Sequence, residues 1–187
     1  MDVLLLAGYR QDCNHFALRR DTDNELIFLD RQIENLQSLD LNPIVVLSGT
    51  AADHVILNSR KLPEVDLVFD TNDLEANLTT NIKAGLHMVS HTAFAQPLEV
   101  PCPPKEVWMA LRRAYTETGF TTKMSMIQLF DPKGAPWHWG FPLFITRLGR
   151  HQLLNEDNLT SLTDSRLTYH HCPIEPAQDL APQGSEA

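Results

Sequence analysis

Cysteine is scarce in this chain of 187 residues: Cys13, Cys102 and Cys172 are the three, far apart and with no C-x-x-C pair. An odd number so dispersed argues against a disulfide framework or a paired-cysteine zinc site, and a reducing cytoplasm is the expected location. No apolar run approaches the roughly 18 residues of a membrane-spanning helix. The opening Met-Asp-Val-Leu-Leu-Leu-Ala-Gly lacks the basic flank of a secretory signal. Positive charge is also short, with 15 Lys+Arg against 24 Asp+Glu and a net charge of -9. A duplex nucleic-acid binder shows a basic stripe that releases counterions from phosphates, and none is visible, so neither DNA nor a membrane is an expected partner. Between Asp21 and Glu75 twelve acids face three bases, which accounts for the whole net charge. Arg10, Arg19 and Arg20 supply local cations near the start, enough for a small polyphosphate. There is no G-x-S-x-G elbow, no Walker-type G-x-x-x-x-G-K, no internal repeat and no low-complexity tract.

What the chain does have is apolar material, 43% of its residues, enough for one core. Short apolar runs alternate with helical periodicity. Val3-Leu4-Leu5-Leu6 reads as a strand buried on both faces, ending at Ala7-Gly8. The polar stretch from Tyr9 to Asn24 is long for a loop and marks a functional one. Leu26, Leu29, Ile33, Leu36 and Leu39 then form an apolar helix face, with Asp30, Arg31, Glu34 and Gln37 on the wet side. Ile44 to Leu47 is a second buried strand, residues 51–60 a short helix, and Val65 to Phe69 a third strand. Leu78, Ile82, Leu86 and Val89 mark a helix capped by Asn77 or Thr79. Thr92 to Leu98 reads as a strand, and a helix beginning near Pro103-Pro104 turns Val107, Leu111 and Ala114 inward. Met124 to Phe130 reads as a strand, Phe144 to Leu154 as a helix, and Leu167 to Cys172 as a last strand.

This order predicts an α/β fold: a three-layer, Rossmann-like sandwich around a mostly parallel sheet, in one domain over residues 1–174. Residues 175–187 are expected to form a flexible tail. Ligands of such sheets bind beyond the carboxyl ends of the strands. The segments of interest are therefore Gly8 to Asn24, Asp70 to Asn77, Glu99 to Pro103 and Asp131 to Pro142.

Several segments in register resemble a known family. Leu5-Leu6-Ala7-Gly8, then Leu26-Ile27 and a helix, then Ile44-Val45-Val46-Leu47-Ser48-Gly49, are similar to the nucleotide-binding half of molybdenum cofactor guanylyltransferase-like nucleotidyltransferases. Asn81-Ile82-Lys83-Ala84-Gly85-Leu86 continues the likeness. So does Phe94-Ala95-Gln96-Pro97-Leu98-Glu99-Val100-Pro101-Cys102-Pro103-Pro104, where the family has Asp-x-Pro at a strand end before a proline-led helix. Gly140-Phe141-Pro142 matches the family's Gly-His-Pro. The resemblance covers roughly residues 1 to 155 and implies a nucleotide-diphospho-sugar-transferase type of fold. It further implies attack by a phosphate oxygen of a molybdopterin-type cofactor or other phosphorylated acceptor on the α-phosphate of a nucleoside triphosphate. Pyrophosphate leaves, and carboxylates hold Mg²⁺.

Carried over residue by residue, the resemblance places Leu6, Ala7 and Gly8 at the phosphates, Asp70 at the nucleotide and Glu99 at the metal. The chain departs from the pattern in places. Tyr9 stands where a second glycine would let the backbone approach a phosphate. The family's lysine has no counterpart before Arg60, leaving Arg19 or Arg20 to lend charge with a planar fork rather than a compact ammonium. Glu99 replaces Asp, and its extra methylene moves the carboxylate by about 1.5 Å. The family's late metal Asp has no match in Cys172 to Asp179. These departures keep open a second reading, a catalytically degenerate homologue that binds, regulates or docks.

Other constellations are weaker. His87 and His91 are four apart on an expected helix, with Met88 where H-E-x-x-H needs Glu. His170 and His171 point to opposite faces of a strand. Trp137-His138-Trp139 either stacks on a pterin or nucleobase or closes a loop over the core, and with the acidic segment it is one of two candidate docking places for a protein partner. Cys102, just before a helix start, stands where a thiol pKa can fall.

Overall fold

A computed structural model describes residues 1–7, 17–20, 26–48, 52–70, 77–117, 125–130, 133, 140–156, 159 and 161–173. Seven strands form one sheet: β1 (Asp2–Ala7), β2 (Asn42–Ser48), β3 (Asp66–Asp70), β4 (Ala93–Pro97), β5 (Met126–Phe130), β6 (Leu143–Ile145) and β7 (Tyr169–Pro173). Their order across the sheet is β3-β2-β1-β4-β6-β5-β7. β1 pairs in parallel with β2 and β4, as does β2 with β3 and β5 with β7; β6 alone runs against its neighbours β4 and β5. Among the described residues, the α-helices with stated bounds are α1 (Phe28–Ser38), α2 (Ala52–Asn58), α3 (Leu78–Leu86), α4 (Lys105–Glu117) and α5 (Arg147–Asn155).

The alternation of side chains along each strand divides the core into two sheets of apolar contacts. Val3, Leu5, Val45, Leu47 and Phe94 meet α1, α2 and α4 on one face, while Leu4, Leu6, Ile44, Val46 and Ala95 meet α3 and α5 on the other. Three layers result, as expected from the repeated strand–helix order. Each fully buried Leu or Ile contributes about 1.5–3 kcal/mol over its exposed state, so the sheet's two faces supply most of the cohesion. α3 lies so close that a Cβ on Gly85 would come 2.9 Å from both Leu4 and Val46 side chains, which explains a glycine inside that helix. Its start is a capping box: Asn77 Oδ1 accepts from Thr79 N (2.9 Å) and Thr80 N (3.1 Å), and Thr80 Oγ1 accepts from Asn77 N (2.9 Å).

Two expectations are corrected. Phe144 does not begin a helix; Leu143–Ile145 is a strand, and α5 starts only after Thr146, whose hydroxyl accepts from Gly149 N and donates to Ser125 O. Three residues are too few for strand periodicity to show against the helical pattern that follows. Asp30 is not on a wet face either. It is 1% exposed and accepts from Ser59 Oγ, Arg60 N and Lys61 N, tying α1 to the segment before β3. Among the described residues, no helix is long and apolar enough to cross a membrane.

Candidate active site

The chain winds outward from β1 through β2 to β3, then returns to the other side of β1 as β4. That reversal is the topological switch point of the sheet, and in sheets of this kind ligands bind beyond the carboxyl ends of the strands there. The ends of β1 and β4 are the described residues next to it. Leu6 and Ala7 end β1, both buried, and Leu98 N donates to Leu6 O at 3.0 Å, extending the pairing one step beyond β4. Glu99 is therefore the next residue after a backbone link to the start of the expected phosphate loop. It is half-buried, with Oε2 shielded from solvent. Gly8 lies outside the described residues, as do Tyr9, Arg10, Cys13, Asp179 and the Trp137-His138-Trp139 triplet.

The turn that carries Glu99 is held from several directions. Val100 N donates to Pro97 O (3.1 Å), the Gln96 side-chain amide donates to Val100 O (2.7 Å), and Trp108 Nε1 donates to Pro103 O (3.0 Å). Pro101, Pro103 and Pro104 stiffen the remainder before α4 begins at Lys105. A carboxylate presented on so restrained a backbone loses little further freedom on binding a cation.

Asp70 closes β3 at the same edge, opposite Ser48 and two strands from β1, roughly 10 Å at ordinary strand spacing. It is 5% exposed and accepts from Asn81 Nδ2 at 3.2 Å. Asn81, in the first turns of α3, also donates to Asn77 O (3.0 Å), while its own Oδ1 is buried without a hydrogen-bond partner among the described residues. The result is an acceptor-rich corner of carboxylate and amide carbonyl. Arg19 and Arg20 are exposed beside the start of α1: Arg19 O accepts from Phe28 N (2.7 Å) and Arg20 bridges to Ile27. α1 descends from the carboxyl edge to β2, so its first residue and both arginines lie on the site's side of the sheet.

The structure thus sets Leu6, Ala7 and Glu99 at the ends of the neighbouring strands β1 and β4, with Asp70, Arg19 and Arg20 toward the same edge of the sheet. Sequence reasoning passed over Asn81 and Gln96 as site residues. A polar residue within an otherwise apolar helix face or strand is the only local signal either gives.

α3 ends at Leu86, so His87 caps it and His91 lies beyond; the two do not share a helical face. His171 stacks on Phe130, with ring centroids 4.0 Å apart. No group of three or more His, Cys, Asp or Glu among the described residues is arranged to hold a metal. Cys102 reverses its expectation: α4 starts too late to help, and burial pushes the thiol up to about 11.

No family model matches the sequence, nor does any curated protein sequence. Solved structures do match. A homologue of Mycobacterium tuberculosis Rv0371c from Mycobacterium sp. strain JC1 is 16% identical over 93% of this chain and 85% of its own, with a TM-score of 0.66. Rv0371c itself, from Mycobacterium tuberculosis H37Rv in complex with manganese, is 17% identical over 92% and 86% of the two chains, with a TM-score of 0.61. Molybdopterin-guanine dinucleotide biosynthesis protein A from Archaeoglobus fulgidus is 14% identical over 92% and 83%, with a TM-score of 0.66. The chain has the nucleotide-diphospho-sugar-transferase type of fold, and molybdopterin-guanine dinucleotide biosynthesis protein A is among the structures that share it.

Proposed function

We propose that the protein is a nucleotidyltransferase of the molybdenum cofactor guanylyltransferase-like kind, moving a nucleoside monophosphate from a triphosphate to a small phosphorylated acceptor such as a molybdopterin. The observation that carries the reading is the Leu98 N–Leu6 O bond, which sets the Glu99 turn against the end of β1 at the switch point. In this reading an acceptor phosphate oxygen forms the new bond to the α-phosphorus, and the bond to the departing pyrophosphate breaks. Backbone N–H groups after Leu6, at Ala7 and Gly8, hold phosphate oxygens, and Arg19 or Arg20 offsets the charge of the leaving group. Asp70 and Asn81 offer acceptors to the N–H groups of a base or to ribose hydroxyls.

Glu99 would hold Mg²⁺, which supplies charge neutralisation at the transferred phosphoryl group. The donor set fits: such ions take one or two carboxylates and complete their shell with substrate phosphates and water, so a crevice without an all-protein cage is suitable. The manganese complex of Rv0371c supports divalent metal use on this fold. The second reading, a degenerate homologue that binds or docks without catalysis, is favoured by Tyr9 at the second-glycine position and by the missing lysine before Arg60.

The test is a thermal-shift panel with GTP, CTP, ATP and UTP, each with and without Mg²⁺, followed by pyrophosphate release with the triphosphate that binds and molybdopterin as the phosphorylated acceptor. A ligand at about 100 times its Kd adds roughly 2.7 kcal/mol of stability. Transfer predicts a Mg²⁺-dependent shift and pyrophosphate release that is lost in Glu99→Ala. A shift without release supports the degenerate reading, and no shift with any triphosphate overturns both nucleotide readings.

A further inference from the structure

Gln96 is a polar residue in the middle of the sheet. It lies in β4 opposite Leu5 of β1 and is 1% exposed. Its Nε2 is directed at the inside of the turn that follows, 2.7 Å from Val100 O, 3.4 Å from Pro97 O and 3.5 Å from Pro101 O. Three carbonyls converge on one amide group, so only the NH₂ end can face them. That orientation leaves Oε1 buried with no hydrogen-bond partner among the described residues. An unmade hydrogen bond at a buried acceptor costs stability, so the orphaned Oε1 offsets part of what the amide gains at Val100 O. What the amide supplies is a grip on the backbone around Glu99. Val100 is held at its N–H by Pro97 O and at its C=O by Gln96, and Leu98 is held by Leu6 O, so the residues on both sides of Glu99 are fixed.

We infer that Gln96 is a positioning residue: by holding the turn at Val100 O it sets the Glu99 carboxylate for a divalent cation. The inference rests on the reading of Glu99 as a metal ligand. Groups that orient a ligand through one intervening bond typically change metal affinity by about 10–100-fold when removed.

The experiment measures Mn²⁺ affinity by electron paramagnetic resonance, together with the thermal midpoint of the metal-free protein, for the wild type, Glu99→Gln, Gln96→Met and Gln96→Leu. Mn²⁺ alone is the probe. The expected result is loss of Mn²⁺ binding in Glu99→Gln and roughly 10–100-fold weaker binding in the apolar variants, which still unfold cooperatively in the metal-free thermal scan. Loss in Glu99→Gln with wild-type affinity in Gln96→Met and Gln96→Leu overturns the role of Gln96 and leaves the metal ligand standing. Wild-type affinity in Glu99→Gln, or no Mn²⁺ binding by the wild type, overturns the metal reading and this inference with it. If both apolar variants unfold, the amide is a stabilising part of the core and the inference is equally overturned.

Discussion

At the scale of single residues, the polar side chains hardest to place from sequence are those whose partners lie far along the chain or in a turn that folds back. Asp30, Asn81 and Gln96 are all 1% exposed or less. In a linear reading Asp30 falls on the wet side of a helix because its partners Ser59, Arg60 and Lys61 are some thirty positions away. Cys102 follows the same rule in reverse. A nearby helix start lowers a thiol pKa only when it faces the sulfur, and here apolar surroundings raise it to about 11. The folded pKa lies above the unfolded 9.0, so the stability from burying this thiol is complete below pH 9 and declines as pH rises from there toward 11. Cys102 is accordingly expected to alkylate much more slowly than a cysteine in a short peptide at pH 8. Mass spectrometry of a timed iodoacetamide reaction checks this, and labelling at the peptide's rate would refute it.

At the scale of elements, most strands and helices were legible because each strand of the parallel block is a short apolar run and each main helix carries a clear apolar face. Leu26, Leu29, Ile33 and Leu36 place α1, and Ile44 to Leu47 place β2. What was not legible is how closely elements approach. Gly149 sits inside α5, where a Cβ would lie 2.1 Å from Ser125 O, a backbone atom that cannot rotate away. Gly85→Ala meets only the tips of Leu4 and Val46 side chains, which can shift. Gly149→Ala should therefore destabilise by about 1–3 kcal/mol, the usual cost of overpacking, and by more than Gly85→Ala. Urea unfolding of the two variants measures the difference, and equal midpoints would show that α5 moves freely. Leu6, Ala7 and Glu99 are expected at the site from the resemblance alone; what the sequence itself shows is that they fall at or just beyond strand ends. The Gln96 grip could not be placed, since it depends on a turn folding back onto its own strand.

At the scale of the whole molecule, the sheet is two parallel blocks, β3-β2-β1-β4 and β5-β7, joined by one reversed strand. The joint is narrow in hydrogen bonding: β6 registers with β4 at three positions and with β5 at two. Its side chains make up the difference, for Leu143, Phe144 and Ile145 are all fully buried. Phe144 packs edge-on against Phe94 of β4, with centroids 5.1 Å apart, and lies 5.0 Å from Tyr115 of α4. Phe144 thus links the two blocks through side-chain packing. Phe144→Ala, which leaves the ladder intact, should cost about 3–5 kcal/mol. It should also lower the denaturant m-value by letting the β5-β7 block open while the β3-β2-β1-β4 block persists. An unchanged m-value would mean that cooperativity travels through the backbone of β6 instead.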